Sequence, residues 1–180
     1  MYTISGAPHP VMTDPLTTHH SIEALFTEHY RGLVRLVSGL LDDNETCEEI
    51  VQDAFAALLR GHRTAEAGRE AAYLRSAVLN GARSQLRKRR VRRRHLRSLS
   101  PTAETTDAAE TAAVAALEHQ RVLEAIRDLP RRQSEVLLLR YQADLTEIEI
   151  AETLGISPGS VKTHASRGVA AVRDRLQEPA

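Results

Sequence analysis

Lys162, Thr163, Ser166 and Arg167 follow one another at steps of one, three and one residues, with Ser160 and His164 on their flanks. On a helix these positions share one face. That face carries the donors that read base edges in a DNA groove. A guanidinium can bond bidentately to guanine, an ammonium can reach a base or a phosphate, and a hydroxyl can serve either. A second set lies in "RSQLRKRRVRRRHLR", residues 83–97, which hold nine Arg or Lys and no acid. Arg83, Arg87, Lys88 and Arg90 there suit phosphate. Just upstream, Asn80 offers an amide for a base edge, and Tyr73 offers a ring on which an unpaired base could stack or which could simply be core. A third set, Glu49, Gln52 and Asp53, puts two carboxylates and an amide on one helical face, where they can accept from arginines of a partner.

The elements that must position these groups are helical. Thr146 and Glu149 form a capping-box pair ahead of Ile150, Ala151 and Leu154. Gly155 stands where the chain must turn, because glycine enters left-handed backbone angles cheaply. Ser157 and Pro158 are a second start signal, a hydroxyl cap followed by a residue whose missing N–H costs nothing there. Val161, Ala165, Gly168, Val172 and Leu176 then fall on the face opposite the polar one. This is a helix-turn-helix whose second helix would enter a major groove. Ile156 plugs the turn, and His164 stands where many such motifs place an apolar residue. The same spacing also fits an ordinary helical hairpin in a small core.

The chain of 180 residues is 42% apolar, with 3% aromatics and no Trp. Its Leu, Ala, Val and Ile recur at helical spacing, so the expected class is all-α, with two small helical domains joined by a flexible linker. Residues 1–20 hold three Pro and read as a loose tail, and Met12 offers a second start. Residues 21–97 form the first domain. One helix runs from Ser21 to about Leu40, a second passes through Ile50, Val51, Ala54, Phe55 and Leu58, and a third begins near Glu70. Residues 98–113, "SLSPTAETTDAAETAA", are a linker carrying three acids and no base. Residues 114–180 form the second domain, with helical apolar spacing from Val114 and Leu117 through Leu129 and a new helix at Pro130.

The formal net charge is zero, yet residues 21–97 hold 15 basic and 10 acidic residues. Positive charge is concentrated locally, unlike in a chain that binds phosphate by bulk attraction. Cys47 is alone, which excludes a disulfide framework. No run of 18 apolar residues predicts a membrane helix, and the N-terminus lacks the layout of a signal peptide, so a cytoplasmic location without membrane insertion is expected. The eight His are scattered. No HExxH, CxxC or Gly-rich phosphate loop accompanies them, so neither enzyme chemistry nor a metal or cofactor is expected.

"LFTEHYRGLVRLVSGLLDDNETCEEIVQDAFAALLR" with "AYLRSAVLNGARSQLRKRRVRR" resembles the second conserved region of bacterial sigma factors. "VLEAIRDLPRRQSEVLLLRYQADLTEIEIAETLGISPGSVKTHASRGVAAVRDRL" resembles their fourth region. With these two regions alone, over about residues 22–177, the chain is similar to the extracytoplasmic-function type. The resemblance implies that the first domain docks on the clamp helices of the core RNA polymerase β′ subunit and opens the −10 element of promoter DNA. The second would read the −35 element while sitting on the β flap, with the acidic linker threading the polymerase cleft. It implies polymerase docking by Glu49, Gln52 and Asp53. It implies −10 and melting contacts by Tyr73, Asn80, Arg83, Arg87, Lys88 and Arg90, and −35 contacts by Ser160, Lys162, Thr163, Ser166 and Arg167. Gly61–Arg69 corresponds to a loop that captures a flipped base. Tyr73 departs from the Trp usual there, and Gln85 stands where Asp is frequent. Such factors are commonly held by an anti-sigma factor. The free chain is expected to be flexible between its domains and to become ordered on polymerase.

A dimeric helix-turn-helix regulator acting at operators would explain residues 130–177, but it leaves Glu49–Asp53 and the basic third helix without a task. A basic RNA-binding or structural protein would lack a use for the recognition helix.

Overall fold

Three apolar stripes of helical period precede the acidic segment and four follow it. The computed structural model resolves them as seven helices among the residues it describes, 15–61, 68–96 and 112–177, with side chains described for 22–61, 68–92 and 117–177. In order they are α1 (Pro15–Ser38), α2 (Asn44–Arg60), α3 (Glu70–Leu96), α4 (Ala112–Arg127), α5 (Arg131–Tyr141), α6 (Glu147–Leu154) and α7 (Pro158–Gln177). No strand occurs among the described residues. The fold is all-helical, as its apolar periodicity indicates. The tail 1–14, most of the loop at 62–67 and the acidic linker lie outside the described residues.

Helix α1 opens at Pro15, six residues ahead of the expected start at Ser21. Proline suits a first helical position, since its fixed φ is already helical. Helices α1, α2 and α3 pack on one another around Leu36, Val37, Leu41, Val51, Leu58, Leu74, Val78 and Leu79, all nearly sealed from solvent. Gly81 permits the close approach of α3 to α2, because a Cβ there would stand 2.7 Å from Ile50 Cγ2. Asp43 occupies the N-cap of α2, but its side chain caps no backbone N–H and instead accepts the Thr46 hydroxyl.

In the second unit, α4, α5 and α6 all lie against α7. Leu117, expected on the apolar face of α4, is 59% exposed near the start of that helix. Leu176, near the end of α7, is 37% exposed.

The two units do not stand apart as the sequence suggested. Residues 134–139 of α5 are all buried, so this helix needs cover on every side. Helix α7 covers one side, and the end of α1 covers another, where Leu138 lies so close to Gly39 that a Cβ would come 2.5 Å from Leu138 Cδ2. Helix α3 packs on α6, and the Ser76 hydroxyl donates to the Thr153 carbonyl at 3.1 Å. Arg127 Nη2 donates to the carbonyls of Ser38 at 2.6 Å and Leu41 at 3.3 Å, which satisfies acceptors at the end of α1. The apolar residues of both units merge into one core.

Candidate nucleic-acid interface

The hairpin of α6 and α7 is fixed by its caps. The Thr146 hydroxyl accepts from Glu149 N at 3.4 Å, while the Glu149 carboxylate accepts from Thr146 N at 2.8 Å and from the Thr146 hydroxyl at 2.7 Å. These bonds, that of the hydroxyl foremost, hold the Glu149 carboxyl below its usual range. Gly155 ends α6 in the left-handed region, at φ 62° and ψ 43°, where a Cβ would strain the backbone. Ile156 N then reaches back to Ala151 O at 3.1 Å. Ser157 Oγ accepts from Ser160 N at 3.2 Å and lies 2.9 Å from Ser160 Oγ, so the Ser160 side chain belongs to the cap of α7 as much as to its outer face.

Val161, Ala165 and Gly168 bury the inner face of α7. At Gly168 a Cβ would stand 3.0 Å from Leu137 Cδ1, so α5 and α7 touch closely there. Lys162, Thr163, Ser166 and Arg167 are all exposed on the other face. Lys162 Nζ lies 3.6 Å from Glu147 Oε2, and Arg140 donates to the other oxygen of that carboxylate at 2.9 Å. The Thr163 hydroxyl donates to the Gly159 carbonyl at 3.0 Å. His164 is half-buried, and its Nδ1 has no hydrogen-bond partner among the described residues.

Helix α3 presents a graded surface. Tyr73 is 38% exposed, consistent with a ring available for stacking. Asn80, Arg87, Lys88 and Arg90 are exposed, and Ser84, Arg87, Lys88, Val91 and Arg92 line a shallow groove. Arg89 is committed elsewhere. It donates to Asp42 and lies 3.6 Å from Asp43, and its bond holds the Asp42 carboxyl below the ordinary range. Arg83 also differs from the expected open phosphate ligand. Its Nη1 donates to Asn80 Oδ1 at 2.7 Å, and its Nε donates to Glu135 Oε1 at 2.6 Å in the second unit.

Glu135 is the residue that sequence reasoning missed. It is fully buried, with Arg132 Nη1 at 3.1 Å and Arg131 Nε at 3.8 Å in addition to Arg83. In sequence it follows Arg131 and Arg132 at helical spacing, which reads as a solvated ion pair. Arg83 of α3 closes on it from the other unit. Arg127 also bonds across the units.

Glu49, Gln52 and Asp53 are exposed on α2, while Cys47, Ile50, Val51, Ala54, Phe55 and Leu58 turn inward. The second unit leaves this polar face open. Burial pushes the Cys47 thiol up to about 11, which makes it a packing residue. Among the described residues no group of three His, Cys, Asp or Glu gathers to hold a metal, and no helix is long and apolar enough to cross a membrane.

The geometry agrees with that of known proteins. The family described as Sigma-70 region 2 matches residues 25–93, and Sigma-70, region 4 matches residues 119–172. An RNA polymerase sigma-E factor of Streptomyces antibioticus is 30% identical over 147 residues, which cover 81% of this chain and 79% of the relative. The fold is shared with the sigma factor RpoE of Bartonella quintana, solved with the anti-sigma factor NepR, at a TM-score of 0.71 and 19% identity over 89% of this chain and 99% of that one. It is also shared with CnrH, solved with the cytosolic domain of CnrY, at 0.69 and 21% over 90% and 91%.

Proposed function

Because the chain belongs to the sigma factors, of the extracytoplasmic-function type, we propose that it binds core RNA polymerase, recognises a −35 and a −10 element and helps to melt promoter DNA. The observation that carries this reading is the recognition helix α7, held by caps at both sides of its turn, with Lys162, Thr163, Ser166 and Arg167 facing outward. The first two or three turns of such a helix reach base edges in the major groove. The same chain carries the open polar face of Glu49, Gln52 and Asp53, which suits arginines on the polymerase clamp. Exposed Arg87, Lys88 and Arg90 would follow the backbone near the melted junction, with Tyr73 and Asn80 toward the unpaired strand. The chain supplies binding and strand separation, and the polymerase supplies the chemistry.

CnrH was solved with the cytosolic domain of CnrY, and RpoE of Bartonella quintana with an anti-sigma factor. A protein of that kind is accordingly part of the proposal for this chain.

The test is transcription in vitro with the purified chain, bacterial core polymerase and a library of random promoters, with core alone as control. The expected outcome is a set of specific start sites sharing two elements at a fixed spacing. An absence of core-dependent initiation, with the chain binding one duplex site as a dimer, would identify an operator-binding regulator instead.

A further inference from the structure

We propose that Glu147 sets the sequence specificity of the recognition helix by holding Lys162 over the base edges and off the sugar–phosphate backbone. The inference rests on the promoter reading for the element that is read. The arrangement of charges rests on contacts alone.

A single carboxylate joins three helices beside the outer face of α7. Glu147 stands in the first turn of α6, and its side chain is 29% exposed. Its Oε1 accepts from Arg140 Nη2 of α5 at 2.9 Å, and its Oε2 lies 3.6 Å from Lys162 Nζ of α7. The two distances have different consequences. The first is a charge-assisted hydrogen bond between two half-buried side chains, and it gives the carboxylate a fixed place. The second is too long for a hydrogen bond, so it is attraction without a shared proton. The Lys162 side chain is 70% exposed, and its three donors stay free for an acceptor on DNA. Arg140 thus anchors Glu147, and Glu147 restrains Lys162 without consuming its donors.

Local structure explains why a carboxylate can sit there. The first turn of a helix favours negative charge. The cap of α6 is made by Thr146 with Glu149, which leaves the Glu147 side chain for α5 and α7. A carboxylate at this edge would on its own repel DNA, because the first helix of such a hairpin crosses the backbone. Two cations and one carboxylate give the cluster a net charge of +1, so the edge remains attractive to phosphate. Removing the carboxylate would raise that charge to +2.

The restraint matters because of what lysine is. Its ammonium is a point charge on a flexible stem. The densest negative charge near a bound α7 is phosphate, and a contact to phosphate carries no sequence information. Lys162 lies within the first two turns of α7, where side chains reach base edges. Held toward Glu147, it is kept from the nearest phosphate and left to a base acceptor that approaches it. Specificity rises with some loss of total affinity. Arg167 on the same face needs no such restraint, because its planar fork is already organised for bidentate contact.

The experiment uses the full chain and three variants: Glu147→Gln, Lys162→Gln and the two together. Glu147→Gln keeps an oxygen for Arg140 and removes the charge that restrains Lys162. Binding to a random-sequence duplex is followed by fluorescence anisotropy over a range of salt. Transcription with core polymerase is measured from the selected promoter and from copies substituted one base pair at a time in the −35 element. Glu147→Gln should bind the random duplex more tightly, with a dependence on log salt steeper by about 0.9, the signature of one more phosphate contact. Its discrimination should fall about fivefold at one −35 base pair and persist at the others. In the Lys162→Gln background, Glu147→Gln should change neither quantity. An unchanged salt slope in Glu147→Gln, with or without a lower melting temperature, would reduce the cluster to a structural ion pair and overturn the proposal. A steeper slope with unchanged discrimination would refute the part of Glu147 in specificity. A loss of discrimination that is the same with and without Lys162 would also overturn the proposal, since the carboxylate would then itself accept from a base such as cytosine. Absence of core-dependent initiation alongside the expected slopes would overturn the promoter reading and leave the hold of Glu147 on Lys162 standing.

Discussion

Arg167→Ala gives the sharpest test of how α7 reads DNA. Arg167 is exposed and has no hydrogen bond or ion pair among the described residues, so no folded contact is lost on truncation. Surface changes of this kind stay within about ±0.5 kcal/mol of stability. A bidentate arginine–guanine pair contributes about 1–3 kcal/mol of discrimination, which is roughly 5- to 150-fold. The expected result is a loss of that size in initiation from the preferred promoter, with the melting temperature and polymerase affinity unchanged. The assay compares transcription, by parent and variant, from the selected promoter and from copies substituted one base pair at a time in the −35 element. Preference should collapse at one position and persist at the others. A uniform loss across all copies, with the salt slope shallower by about 0.9, would mean that Arg167 contacts a phosphate, and the reasoning would be refuted. A lower melting temperature would show that the side chain has a structural task that its exposure does not reveal.

Three further substitutions separate the other tasks. Gln52→Ala with Asp53→Ala should weaken capture of core polymerase, measured by competition with an unrelated sigma factor, while binding to a −35 duplex is retained. Asn80→Ala should spare duplex binding and slow promoter opening, followed by permanganate reactivity of unpaired thymines; normal opening would remove Asn80 from the melting surface. Thr146→Ala deletes both the cap acceptor and a donor to Glu149, and should cost about 0.5–2 kcal/mol in chemical denaturation. The Glu149 carboxyl is held below its usual value in the folded chain, so its share of the box is present above the unfolded value of 4.5 and fades as pH falls through the lowered folded one. The gap between parent and Thr146→Ala should narrow in acid, and a gap that widened would place the stabilisation elsewhere.

Features encoded locally could be read from the sequence. The cap at Thr146, the left-handed turn at Gly155 and the start at Ser157–Pro158 each depend on a few neighbouring residues, and the hairpin forms as they dictate. The inward positions of α2 and α7 follow from period alone. What escaped depends on residues distant in sequence. Leu138 meets Gly39 and Arg127 meets Ser38 across the join of the two units, and neither pair has a local signature. The one hint was the run Val136–Leu139, four consecutive apolar residues on a helix that can show only about half of them to its own domain. A helix buried all round requires a second covering surface, and the end of α1 is that surface.

The basic run of α3 shows why counting charges overstates a binding site. Nine cations in residues 83–97 suggest a uniform track. Within the first eight positions, however, the fold distributes them unequally. Arg83 faces Glu135, Arg89 faces Asp42 and Asp43, and Arg87, Lys88 and Arg90 remain open to solvent. Helical geometry causes the division. A cation every residue must spread around the whole cylinder, so some point at the α1–α2 turn and some at α5, whatever their use. Those that meet a carboxylate help to position α3, and the rest are left for phosphate. Arg89 pairs within its own unit. Arg83 pairs across the two units, so among these cations it is the one that ties α3 to α5.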